Sequence, residues 1–306
     1  MKPLLFALPG NEALAAGLGA ALDLEAGALV LRRFPDGEDY VRVLSPVAGR
    51  DVLLLASLAR PAERLLPLLF TAATLRDLGA ARVGLIAPYL AYMRQDRRFQ
   101  EGEGVTSAYF ARLLSPWLDW LATVDPHLHR RASLAEIYSI PTAVAHAAPL
   151  ISRWIKRYVA APLLVGPDSE SAQWVAAVAR DADAPHIVLE KRRRGDRDVT
   201  VSLPDLAGRE ARTPVLIDDI ISTARTMIET VRHLRAANMA PPLCVGIHGV
   251  FAGNAYEDLM AAGAGRIVTA NTIAHHSNAI DVAPLLATAL RQAGFLAPLK
   301  SADTVP

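Results

Sequence analysis

Apolar residues in this chain fall into short runs separated by stretches where they recur at helical spacing. Leu4–Leu8, Ala28–Leu31, Asp51–Ser57, Arg82–Ala87 and Asp119–Val124 read as strands in the first half. Leu163–Gly166, His186–Leu189, Val215–Ile217, Cys244–Val250 and Arg266–Ala270 do so in the second. Helices are predicted between them. One runs from a cap at Asn11 to about Leu22, and one from about Ala62 to Leu78 with Gly79 as its stop. A third starts at a Thr106 cap and reaches Leu114, and a fourth spans Ile151–Val159. Met227, Ile228, Val231 and Leu234 mark another that stops near Asn238, followed by Ala255–Ala262 and Val282–Leu290. Strand–helix alternation of this kind predicts an α/β fold of two similar domains, each an open, mostly parallel sheet flanked by helices. The boundary falls between Thr142 and Pro149. This gives an N-terminal domain over 1–145 and a C-terminal domain over 146–306, with the last residues returning to the first domain. No internal sequence repeat is visible.

One segment breaks the alternation. Arg33-Phe34-Pro35-Asp36-Gly37-Glu38-Asp39 has turn chemistry, and Tyr40–Val43 alternates as a hairpin partner. Composition narrows the class. A chain of 306 residues with 52% hydrophobic and 21% charged residues is long enough for two packed cores. A net charge of +1 argues against a broad nucleic-acid surface. The lone Cys244 excludes an internal disulfide and a cysteine-based zinc site. No apolar run reaches the roughly 18 residues of a membrane span, and Pro9-Gly10-Asn11-Glu12 cuts short the apolar start. The expectation is a cytoplasmic enzyme with no nucleic-acid or membrane partner.

The densest chemistry lies in Val215-Leu216-Ile217-Asp218-Asp219-Ile220-Ile221-Ser222-Thr223-Ala224-Arg225-Thr226-Met227, a buried strand, a short loop and a helix start. Backbone N–H groups at a helix start form an anion site, and Ser222, Thr223 and Thr226 add hydroxyl donors. Asp218 and Asp219 suit a pair of sugar hydroxyls or a metal. A carboxylate pair beside a phosphate cradle suggests a phosphorylated sugar, although helix capping by Ser222 or Thr223 is the plainer alternative. Three further segments carry charge at strand ends. Arg94-Gln95-Asp96-Arg97-Arg98 follows one strand, and Asp125-Pro126-His127-Leu128-His129 follows another, with imidazole and carboxylate suited to a divalent metal. Lys191-Arg192-Arg193-Arg194 reads either as a solvated loop or as cations closing over a triphosphate.

Together these phrases resemble the ribose-phosphate pyrophosphokinases, whose two domains share the type I phosphoribosyltransferase fold. The likeness rests on Arg33–Glu38, the Pro88–Arg97 segment, Thr123–His127, Lys191–Arg193 and the Asp218–Thr226 motif, with His248-Gly249 and Asn271-Thr272-Ile273 adding to it. It implies transfer of the diphosphoryl group of Mg-ATP to the C1 hydroxyl of ribose 5-phosphate, with Mg²⁺ as cofactor. By the same resemblance, Phe34, Asp36, Glu38, Arg94, Gln95 and Asp96 bind ATP, and His127 and Asp168 bind the metal. Lys191 and Arg193 are the catalytic cations, while Asp218, Asp219, Ser222, Thr223, Ala224, Arg225 and Thr226 bind ribose 5-phosphate. A homo-oligomer is implied, since the family's Phe34-type segment completes a neighbour's ATP site at a subunit contact. One departure stands out: Ala224 and Arg225 occupy positions that are small, commonly glycine, in the family. Two other readings are a non-catalytic regulatory homologue and a phosphoribosyltransferase that consumes phosphoribosyl diphosphate.

Overall fold

The computed structural model of the protein describes residues 2–167, 171–194, 198–202, 208–209 and 211–296. The chain divides into two compact units. One comprises residues 1–145 with the chain from Ala283 onward, the other His146–Val282.

In the first unit, β1 (Leu4–Ala7), α1 (Glu12–Leu22) and β2 (Glu25–Ala26) are followed by a hairpin of β3 (Leu29–Arg33) and β4 (Asp39–Val43). Then come β5 (Asp51–Leu55), α2 (Pro61–Asp77), β6 (Arg82–Ala87), α3 (Thr106–Leu114), β7 (Trp120–Val124) and β8 (Thr142–Ala145). The sheet is six-stranded, in the order β2-β1-β5-β6-β7-β8, and every pairing is parallel. Val52–Leu55, Val83–Ala87 and Trp120–Val124 are buried at every position. Such unbroken apolar runs are what a parallel sheet covered on both faces requires.

The second unit opens with α4 (Ala148–Tyr158), β9 (Pro162–Gly166), α5 (Ala172–Ala182) and β10 (His186–Val188). A hairpin of β11 (Glu190–Arg194) and β12 (Asp198–Ser202) follows. The rest is β13 (Thr213–Ile221), α6 (Arg225–Ala236), β14 (Leu243–Gly249), α7 (Ala255–Ala261), β15 (Arg266–Ala270) and β16 (Asn278–Ile280). Its six-stranded sheet runs β10-β9-β13-β14-β15-β16, again wholly parallel. Both units therefore use one strand order and insert a hairpin between their second and third sheet strands. The repetition invisible in the sequence is plain in the topology. The last helix, α8 (Ala283–Gln292), packs on α1, β7 and β8 of the first unit.

Several local expectations are corrected. Asn11 makes no cap bond. Its Nδ2 donates to the Leu8 carbonyl at 2.9 Å and its Oδ1 accepts from the Ser57 amide at 2.9 Å, which ties the ends of β1 and β5 together. Thr106 likewise does not cap α3 but donates its hydroxyl to Gln95 Oε1 at 3.1 Å. Two edge strands were not foreseen: β8 (Thr142–Ala145), which ends where the first unit gives way to the second, and Glu25–Ala26, too short to show in the apolar pattern. Among the described residues no helix is long and apolar enough to cross a membrane.

Gly84 and Trp120 are register partners on β6 and β7. A Cβ at Gly84 would sit 1.9 Å from the Trp120 ring, and that ring stacks on Phe295 with centroids 4.7 Å apart. The glycine is the slot into which the indole folds. Gly84→Ala should therefore overpack the first unit and cost about 3 kcal/mol, measured as a lower urea midpoint followed by tryptophan fluorescence.

Candidate functional site

In the second unit, β13 is a central strand that runs beyond the predicted Ile217, through both acids, to Ile221. The connecting loop is thus only Ser222–Ala224, and α6 already begins at Arg225. Asp218 folds its carboxylate back to accept the Asp219 amide at 3.0 Å. Neither Ser222 nor Thr223 caps the helix. Ala224 occupies that position, in the left-handed conformation at φ 55° and ψ 9°, and its carbonyl accepts the Ile228 amide at 2.8 Å. Left-handed backbone costs a residue with a Cβ about 1 kcal/mol relative to glycine. This positive φ is adopted by an alanine rather than a glycine, buried among core residues. Arg225 is exposed as the first helical residue, outside the loop interior.

Sequence reading missed what holds this loop. The amides of Val250 and Phe251 both donate to the Ile221 carbonyl at 3.0 Å, and the Ala252 amide donates to the Ser222 carbonyl at 3.0 Å. The chain after β14 thus fixes the exit of β13, with Phe251 itself at φ 43°. Phe251 belongs to a ring cluster with Tyr256, His275 and His276, whose successive centroids lie 4.0 to 5.4 Å apart. Burial is the first cause of the lowered His275 pKa, ahead of the charge of His276. These residues come from two separate connections and the first turn of α7, so no local pattern announces them. Nearby in the fold, buried His248 meets Thr272 Oγ1 at 2.9 Å. Since that hydroxyl spends its proton on the Ile247 carbonyl at 2.9 Å, His248 is the donor, through Nδ1.

Lys191 and Arg193, expected on a loop, stand on strand β11, in register with Val201 and Val199 of β12. The alternation of Val199 and Val201 with Thr200 and Ser202 gives the cationic run a partner strand. Asp168 lies outside the described residues.

In the first unit, Phe34, Asp36 and Glu38 form the tip of the β3–β4 hairpin. The Phe34 amide donates to the Glu38 carbonyl at 2.8 Å, Gly37 turns the chain at φ 95°, and Asp36 Oδ1 accepts the Glu38 amide at 3.1 Å. The Arg32 guanidinium lies over both the Phe34 and Tyr40 rings, at 4.2 and 4.3 Å, which holds the half-exposed aromatic in place. Arg94 is exposed after β6. Asp96 is buried, and its carboxylate accepts Arg130 Nη1 at 3.3 and 3.4 Å while its carbonyl accepts Arg131 Nη2 at 3.0 Å. Gln95 is held by Thr106 through its side chain and by Ser107 through its carbonyl. Arg130 and Arg131 were not foreseen; each is a surface cation in sequence and a tether in the fold.

The strand end at β7 is strained. Asp125 has φ 33° and His127 φ 49°, flanking Pro126. The Asp125 amide donates to the Ala145 carbonyl of β8 at 3.1 Å, and the His127 amide to the Asp125 carbonyl at 2.9 Å. Two non-glycine residues at positive φ within three positions cost on the order of 2 kcal/mol together, which the sheet behind them supports. The turn brings the His127 and His129 rings edge to face, centroids 4.0 Å apart.

Two family models match the chain: the N-terminal domain of ribose phosphate pyrophosphokinase over residues 3–116, and the phosphoribosyl transferase domain over residues 133–284. The ribose-phosphate pyrophosphokinase of Sulfolobus acidocaldarius is 33% identical over 254 residues, covering 81% of this chain and 86% of the relative. That of Methanopyrus kandleri is 34% identical over 276 residues, covering 89% and 93%. The crystal structure of phosphoribosylpyrophosphate synthetase from Mycobacterium smegmatis matches with a TM-score of 0.83 and 26% identity, over 96% of this chain and 99% of that one.

The backbone at Ala224 supplies a direct test. Ala224→Val places a β-branched side chain in a buried left-handed position and should cost about 2 kcal/mol or more. Ala224→Gly should stay within about 1 kcal/mol of the parent, since relief of strain offsets the lost methyl burial. Urea midpoints of the two variants check both; equal destabilisation would contradict the strained geometry.

Proposed function

The chain belongs to the ribose-phosphate pyrophosphokinase family, and we propose that it makes 5-phosphoribosyl 1-diphosphate and AMP from ribose 5-phosphate and Mg-ATP. The observation that carries this reading is the passage of β13 through two acids into the short Ser222–Ala224 loop at the start of α6. Acceptors suited to vicinal hydroxyls and donors suited to a phosphate stand there in sequence order along one connection.

In this reading Asp218 and Asp219 accept hydrogen bonds from the ribose hydroxyls, and Ser222 to Thr226 hold the 5-phosphate. The exposed Arg225 adds a cation beside the phosphate without filling the loop. The C1 hydroxyl oxygen attacks the β-phosphorus, the bond from that phosphorus to the oxygen bridging to the α-phosphate breaks, and the hydroxyl proton leaves to solvent. Lys191 and Arg193 stabilise the charge that gathers on the transferred group and on departing AMP. Phe34, Asp36 and Glu38 hold the adenine of ATP, and Arg94 contacts its phosphates. Gln95 contributes near the base, and Asp96, committed to Arg130 within its own unit, acts by positioning. His127 and Asp168 are each candidate ligands for a divalent ion, which prefers oxygen donors such as those of the phosphates. Mg²⁺ held there would draw charge from those oxygens. The exposed hairpin tip supports the further reading that the protein is a homo-oligomer in which Phe34 completes a neighbour's ATP site at a subunit contact. A cytoplasmic setting fits these substrates.

Phosphorus NMR of the purified protein with ribose 5-phosphate, ATP and Mg²⁺ tests the reaction class. A new diphosphate pair with stoichiometric AMP is expected. ADP would indicate transfer of a single phosphoryl group, and unchanged substrates would favour the regulatory homologue. Lys191→Ala should lower kcat by about a hundredfold or more while KM for ribose 5-phosphate changes by roughly twofold or less. Equal losses in both would remove Lys191 from transition-state stabilisation.

A further inference from the structure

Of the two histidines here the resemblance singles out His127 and not His129 as a metal ligand, yet the turn after β7 delivers two imidazoles. Along an extended strand, residues two apart point the same way about 6.5–7 Å apart. The positive φ at Asp125 and His127 reverses the chain and brings the rings of His127 and His129 to 4.0 Å, inclined at 69°. A ring nitrogen of one lies within 4.8 Å of a ring nitrogen of the other. Two nitrogens about 2.1 Å from a shared ion lie roughly 3–3.5 Å apart when adjacent in its coordination sphere, a separation reached by small side-chain rotations.

The surroundings are arranged for a cation. Arg130 and Arg131 follow His129 directly and would repel a divalent ion if they lay over it. Instead Arg130 is drawn to the buried Asp96 carboxylate, and Arg131 to the Asp96 carbonyl, the Ser107 hydroxyl at 3.3 Å and Glu136 at 3.5 Å. The two guanidinium groups are thereby anchored to neighbouring segments of the first unit.

Donor chemistry then sets selectivity. Mg²⁺ prefers oxygen ligands in a tight octahedron, whereas imidazole nitrogen favours the later divalent metals, rising through Mn²⁺ and Co²⁺ to Ni²⁺. We propose that His129 is a second protein ligand at the His127 cation site, and that the pair makes this site prefer Co²⁺ and Ni²⁺ over Mg²⁺. The proposal rests on the reading of His127 as a metal ligand but needs neither ATP nor turnover.

The test uses the full-length, metal-stripped protein with Co²⁺ alone, followed by calorimetry and by the visible absorption of bound Co²⁺. One equivalent should bind at least about tenfold more tightly than Mg²⁺. His129→Ala and His127→Ala should each weaken that equivalent about tenfold or more and keep the parent's thermal midpoint, and His129→Ala should cost Co²⁺ binding far more than Mg²⁺ binding. Co²⁺ held at His275 and His276 would survive both substitutions and count separately. Parent-like Co²⁺ binding by His129→Ala, with loss in His127→Ala, would overturn the role of His129. Parent-like binding by both would overturn the pair and the metal reading of His127 together. Failure of diphosphoryl transfer alone would appear only in the phosphorus NMR experiment and leave Co²⁺ binding as expected.

Discussion

Parallel pairing is the constraint on which the rest depends. When every strand of a sheet points the same way, every carboxyl end reaches one edge, and the connections leaving those ends gather there. In the first unit that edge receives the Arg94–Asp96 segment after β6 and the Asp125–His129 turn after β7. In the second it receives the acids and loop after β13, the Phe251 segment after β14 and the paired histidines after β15. Residues far apart in sequence become neighbours at each edge because the hydrogen-bond ladders behind them admit one direction only.

The same edges concentrate backbone strain. Asp125, His127, Ala224 and Phe251 all take positive φ immediately beyond strands, and none is glycine. Three of them are locked by a hydrogen bond to a neighbouring strand or helix, Asp125 to β8, Ala224 to the first turn of α6 and Phe251 to the end of β13, while His127 is tied back to Asp125. Rigid scaffolding converts a conformational cost into fixed placement of side chains. The ion pair between the buried Asp96 and the exposed Arg130 serves the same end.

Much of this was legible in the sequence, for identifiable reasons. Covered parallel strands carry nearly continuous apolar runs, so β6 and β15 could be bounded to the residue. Pro35-Asp36-Gly37 announced its hairpin because only certain residues make such a turn. The acids and hydroxyls of residues 218–226 stood out because they interrupt a buried run. What escaped notice depends on partners supplied by the fold. Asn11 and Thr106 look like caps until Ser57 and Gln95 offer better bonds. Lys191–Arg194 looks like a solvated loop until Val199 and Val201 pair with it. No local rule places alanine at the left-handed position before α6. The ties from Arg130 and Arg131 to Asp96 span more than thirty positions.

The placement of α8 bears on how the protein is made. This helix follows the whole of the second unit in the chain yet belongs to the first, where it covers α1 and the β7–β8 edge. On a ribosome, where domains ordinarily close in order from the amino terminus, the first unit would emerge lacking one of its covering helices. The second, encoded without interruption, has all its strands before α8 appears. The earlier half of the polypeptide is thus the later one to be completed, and its exposed flank at β8 must wait through the synthesis of an entire neighbouring fold.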